Sequence, residues 1–194
     1  MDHWRHYLRG YVLELIGREA QAIAAYREAM RAKPDFLRPI NQIAYLLASQ
    51  ERFAEAEPYF QAVLRVEPGN AVAHFNLGFS FDKRGMYDKA IQEFSEATRL
   101  NPKIDRAWYG LGLAHAQLGQ HREAAEALEQ AAILQPMNHH AWYQLGMALH
   151  TIGNTERFEQ VVMHLLRFDP RATRRLIQDS GRSDLAHLVA HLVV

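Results

Sequence analysis

Apolar residues recur three and four positions apart in runs of about a dozen residues, and each run is closed by a turn residue, a spacing that predicts helices rather than strands. Between Asp105 and Asn138 the run through Trp108, Leu111 and Gly112 breaks at Gly119, then resumes through Ala124, Leu128 and Ala131 to Pro136. The same marks return along the chain. Pro34, Pro68, Pro102, Pro136 and Pro170 fall at a constant interval of 34, which fixes the period of a repeat without any alignment. Five repeats follow: 3–36, 37–70, 71–104, 105–138 and 139–172.

Each repeat is expected to fold as helix, turn, helix. Gly17, Gly85, Gly119 and Gly153 hold one equivalent place, with Glu51 standing there in the second repeat. A glycine there suits the left-handed backbone that ends a helix, and the closing proline bars the second helix from running on. Gly10, Ala44, Gly78, Gly112 and Gly146 on the first helices, with Ala22, Ala56, Ala90 and Ala124 on the second, allow close approach of two backbones, with Trp or Phe filling the space alongside. Arg9 stands where later repeats carry Leu or Ile, as suits an end helix whose charge can be hydrated. Pro39 fits a first turn, whereas Pro58 should loosen its helix.

In the fifth repeat Phe158, Val162 and Leu165 replace the small-aromatic-small series, which implies a different neighbour. The segment 173–194 is expected to supply it as a C-terminal cap. Ser183 is a candidate cap for a helix from Asp184, with Leu185, Leu188, Val189 and Leu192 as its apolar stripe. That stripe, and the apolar ending at Val193 and Val194, also offers a route to a homo-oligomer.

The pattern W-x2-L-G-x2-Y, then A-x3-F, A and P, resembles the tetratricopeptide repeat family. The match is fullest at 108–136, on Trp108, Leu111, Gly112, Ala124, Ala131 and Pro136, with His115 and Leu128 in place of aromatics. The resemblance spans 3–172 and implies an all-α fold: a right-handed α-α superhelix, or solenoid, of five helix-turn-helix repeats with a C-terminal capping segment. It implies that first helices line a concave groove serving a protein or peptide partner, as in a non-enzymatic adaptor or scaffold.

On the family's pattern, one groove row is Tyr11, Tyr45, Phe79, Leu113 and Met147, apolar where Asn is common in the family. A neighbouring row is Tyr7, Asn41, Phe75, Tyr109 and Tyr143, with Arg38, Arg106 and His140 at its edge. Exposed aromatic rows mark contact surfaces, and Tyr and Arg tend to dominate binding energy. The alternative is that a tight superhelix buries these rings. A carboxylate clamp for acidic tails is also implied at Asn76 and Arg106, but Asn41, Tyr45 and Gly110 hold the other matching places and leave too few charge-assisted contacts.

Composition narrows the partners. Among 194 residues, Lys plus Arg and Asp plus Glu are equal at 22 each, so no overall field draws the chain to nucleic acid or to an anionic membrane. Arg171, Arg174, Arg175 and Arg182 form a local basic cluster, read as a solvated cap surface. With no cysteine there is no disulfide or thiolate chemistry. His187 and His191 stand four apart, but no third ligand accompanies them, so neither a metal nor any other cofactor is expected. No nucleophile elbow, phosphate loop or dinucleotide turn is present. Arg5, Arg9, Glu14 and Arg18 interrupt the N-terminal apolar stretch, no run is long enough to span a membrane, and a cytoplasmic location is expected.

Overall fold

The three-and-four spacing becomes paired helices throughout, and every regular element among the described residues is helical. The computed structural model describes residues 2–190. Its N-terminal half, Met1–Leu100, holds α1 (Asp2–Leu15), α2 (Glu19–Ala32), α3 (Leu37–Ser49), α4 (Phe53–Val66), α5 (Ala71–Asp82) and α6 (Tyr87–Leu100). Its C-terminal half, Asn101–Val194, holds α7 (Asp105–Gln117), α8 (His121–Leu134), α9 (His139–Thr151), α10 (Thr155–Leu166) and α11 (Pro170–Asp179), then a 3-10 segment at Ser183–Leu188.

Within a repeat, the first helix ends on the residue picked out by the period. Gly17, Gly85, Gly119 and Gly153 adopt φ of 70–73°, and Glu51 adopts 59° at the equivalent place. The amide of the residue after the left-handed one then reaches back to a free carbonyl, as Arg52 N does to Leu47 O at 2.9 Å. A side chain in this conformation is strained by about 1–2 kcal/mol, and glycine returns part of that gain as unfolded-chain entropy. Glu51→Gly is therefore expected to raise stability by roughly 0.5–1 kcal/mol, read as a higher denaturation midpoint.

The small residue of each first helix is small because a large one stands over it. A Cβ on Gly10 would lie 2.6 Å from the Tyr26 ring, one on Gly78 2.8 Å from the Phe94 ring, and one on Gly112 2.5 Å from Leu128 Cγ. The filler is thus the aromatic or Leu of the second helix, buried to within 1% in all three. The tryptophans do another job. Trp108 Nε1 donates to Pro102 O and Trp142 Nε1 to Pro136 O, each at 2.9 Å, and a ring nitrogen of His74 lies 3.0 Å from Pro68 O. In the third, fourth and fifth repeats one side chain thereby satisfies the carbonyl of the linker proline before it.

The fifth repeat departs from this plan. Gly146 faces Leu176 of α11, at 2.7 Å from a notional Cβ, rather than a residue of its own second helix. Val162 at the usual place is too short to fill the gap, so α11 inserts, burying Thr173, Leu176 and Ile177. Pro170 begins α11 instead of closing the fifth repeat, with Asp169 Oδ1 accepting from Ala172 N at 2.9 Å. Pro58 lies inside α4, which nonetheless runs unbroken from Phe53 to Val66.

Beyond α11 the sequence expectation needs correction. The segment from Ser183 is a 3-10 turn of six residues, and Arg182, not Ser183, stands at its N-cap without a side-chain cap bond. Arg182 is drawn instead to Glu159 and Asp184, both at 2.7 Å. Val189 is buried, and Leu185 and Leu188 pack against the core of the C-terminal half. His191, Leu192, Val193 and Val194 lie outside the described residues.

Candidate functional site

Because a helical residue is turned about 100° from its neighbour, the position after each small residue points away from the second helix. In the N-terminal half these positions are Tyr11, Tyr45 and Phe79, and all three are exposed, Tyr45 to 64%. Their surroundings order them. The Phe79 ring stands 5.9 Å from Phe53 and 6.4 Å from Phe75, with Lys83 Nζ 5.1 Å above it. Phe75 in turn reaches Phe94 at 6.0 Å and is half-buried.

The second row is less open. Tyr7 is half-buried between Tyr26 at 5.6 Å and Phe36 at 5.4 Å, whereas Asn41 is exposed and Asn76 half-buried. Arg38 is exposed and its guanidinium sits 5.2 Å over Trp4, which also packs on Phe36 at 4.9 Å. Trp4, Phe36, Phe53 and Lys83 were not among the residues selected from sequence. Trp4 shares the repeat register of Arg38, and that register was the available signal.

The C-terminal half presents the corresponding places differently. Leu113, Tyr109, Tyr143 and Met147 are half-buried, while Arg106 and His140 are exposed. Burial raises the Tyr109 phenol above its usual value. The Tyr143 hydroxyl donates to Asp179 at 2.5 Å, and the Arg175 guanidinium lies 5.1 Å over its ring. Burial, then the bond to Asp179, raises the Tyr143 phenol; the same bond holds the Asp179 carboxyl below the usual range. Here α11 engages Tyr143, whose counterparts Tyr7 and Phe75 pack instead on rings of their own half. His140 stacks on His139 at 4.0 Å.

Among the described residues no group of three or more His, Asp or Glu is arranged to hold a metal ion. His187 Nδ1 lies 2.9 Å from Asp184 O. Among them, too, no helix is long and apolar enough to cross a membrane. In the basic cluster Arg171 and Arg175 are exposed, whereas Arg182 is ion-paired and Arg174 reaches Val189 O at 3.3 Å.

Tetratricopeptide-repeat family models match residues 5–36 and, in overlapping stretches, 41–103, 80–133 and 109–172. The chain belongs to the tetratricopeptide repeat family, whose repeats build protein-interaction scaffolds. The fold agrees with solved structures. MamA superposes with a TM-score of 0.78 at 19% identity, over 100% of this chain and 97% of that one. YrrB gives 0.77 at 19%, over 91% and 90% respectively. A tetratricopeptide repeat protein of Parabacteroides merdae gives 0.78 at 18%, over 96% and 76%. Among curated proteins, the general transcriptional corepressor trfA of Dictyostelium discoideum is 35% identical over 78 residues, 40% of this chain but only 6% of that much longer protein.

Proposed function

We propose that the protein is a non-enzymatic adaptor that holds an apolar-bearing peptide or helix of a partner against its first helices, with Tyr11, Tyr45 and Phe79 as anchors. The observation that carries this reading is the open aromatic row in three successive repeats, with Tyr45 64% exposed. Large apolar rings left bare in register on a water-facing surface mark a contact face. Arg38 and Asn41 beside the row supply charge and a two-sided amide for the partner's backbone or carboxylates. Tyr109, Tyr143, Met147, Arg106 and His140 continue the same register in the later repeats. YrrB, similar in fold, is described as a TPR protein with an unusual peptide-binding site, which is in keeping with a peptide ligand.

The test is affinity purification with mass spectrometry, comparing the native chain with Tyr45→Ser/Phe79→Ser. Both side chains are exposed, so the variant is expected to melt within about 1 kcal/mol of the native protein while losing its specific co-purifying partner. Undiminished recovery of the partner by the double variant would refute the proposal.

A further inference from the structure

The first helix carries an apolar face that no other first helix has. Leu8 and Leu15 are 55% and 68% exposed, and Val12 and Ile16 are exposed beside them. At the place of Leu8 the other first helices have Gln42, Asn76, Gly110 and Gln144; at the place of Leu15 they, or the residue just after them, have Ser49, Lys83, Gln117 and Thr151. Polarity is reversed on the adjoining strip. Where α3, α5, α7 and α9 have buried Ile43, Leu77, Leu111 and Leu145, α1 has exposed Arg9, and exposed Arg5 replaces buried Pro39, Ala73, Ala107 and Ala141. Neither arginine forms an ion pair with a described residue.

Hydration of an exposed helix face explains the arginines but not the leucines. A helix that only had to meet water would keep polar or small residues at those two places, as its sister helices do, rather than hold two leucines and a valine in solvent. The strip around Arg5, Arg9 and Val12 continues, by register, the face through which α3 packs on α2 and α5 on α4, so its natural occupant is another helix. Two unpaired guanidinium groups within that strip call for carboxylates opposite them. At the other end of this chain the exposed side chains of α11 are Arg171, Arg175, Gln178 and Asp179, and Asp179 is already engaged by Tyr143 and Arg175. A second copy of α1 would set arginine against arginine.

We infer that the outer face of α1 is a second docking surface, adjoining the aromatic row at Tyr11, which receives an acidic amphipathic helix of a partner protein. Its apolar residues seat on Leu8, Val12, Leu15 and Ile16, and its carboxylates pair with Arg5 and Arg9. Trp4, wedged between Phe36 and Arg38, forms a rigid edge to the site.

The experiment uses the full chain and two fluorescent peptides of about 20 residues, long enough to hold a helix, with leucines at i, i+3, i+4 and i+7. One peptide has Glu at its polar positions and the other has Lys. In anisotropy titrations the Glu peptide is expected to bind at least about tenfold more tightly than the Lys peptide. Leu8→Gln/Leu15→Ser, which installs the residues of α3, should weaken it about tenfold or more without altering the melting curve. Arg5→Glu/Arg9→Glu should reverse the preference between peptides, while Tyr45→Ser/Phe79→Ser should leave both titrations unchanged. The last result separates this surface from the aromatic row, whose failure would not touch it. Equal affinity for the two peptides, no binding by either, or loss only in the Tyr45 variant would overturn the inference. So would sedimentation showing a native dimer that Leu8→Gln/Leu15→Ser dissolves, since a second copy would then be the occupant.

Discussion

Replacing Phe94 with alanine is expected to cost about 3–5 kcal/mol, the range for emptying a fully buried aromatic site. Phe94 is 1% exposed, and its ring stands directly over Gly78. Gly78→Ala should by itself cost about 1–3 kcal/mol, because the added methyl meets a ring 2.8 Å away that the buried core holds in place. The two changes should not add. With the ring removed, the methyl at 78 has room, so the double variant is expected to be less destabilised than the sum of the singles, by about 1 kcal/mol or more. Chemical denaturation of the four proteins measures the cycle, and strict additivity would mean that the ring and the glycine are not packed as described.

Leu176→Ala should be strongly destabilising, at about 2–5 kcal/mol. Leu176 is fully buried and fills the place over Gly146 that Val162 leaves empty. Its loss removes the main anchor of α11, so amide exchange is expected to quicken from Pro170 to Val189 before it quickens in α7 or α8. The Tyr143 hydroxyl would lose Asp179 as that segment loosens, giving a local readout distinct from global melting. Uniform acceleration across the C-terminal half would instead show that α11 opens only with the whole.

The parts of this fold that were legible in sequence depend on single residues with strong backbone preferences. The turn at Glu51 was located by the glycines at 17, 85, 119 and 153, and it adopts their left-handed backbone even without a glycine. The period reads Pro170 as closing the fifth repeat, but it begins α11, for a physical reason: proline is as suitable at the first turn of a helix as it is just beyond the end of one. Only the contact of Leu176 with Gly146, thirty positions away in sequence, decides between them. The stripe at Leu185, Leu188 and Val189 fits turns of 3.0 residues as readily as 3.6, so a 3-10 segment was indistinguishable from an α-helix.

Of the candidate site, the register of each row was readable but its exposure was not. Tyr45 and Tyr143 are both tyrosines near the middle of first helices. One faces water, while the other is engaged by Asp179 and Arg175 from a helix that the repeat pattern does not include. Likewise, the stacking of Arg38 on Trp4 joins residues of successive repeats and depends on their packing. The reversed polarity of α1 was in the sequence from the start. It became informative once Leu8 and Leu15 were found bare.

The central claim is that a partner lies against the first helices, and photo-crosslinking from that face tests it most directly. A benzoylphenylalanine substituted at Tyr45, at Phe79 and, as a control, at the exposed Gln92 of α6 would be irradiated in the cell of origin. The account predicts one discrete adduct shared by positions 45 and 79 and absent at 92. Adducts of equal yield at all three positions, or at 92 alone, would contradict it.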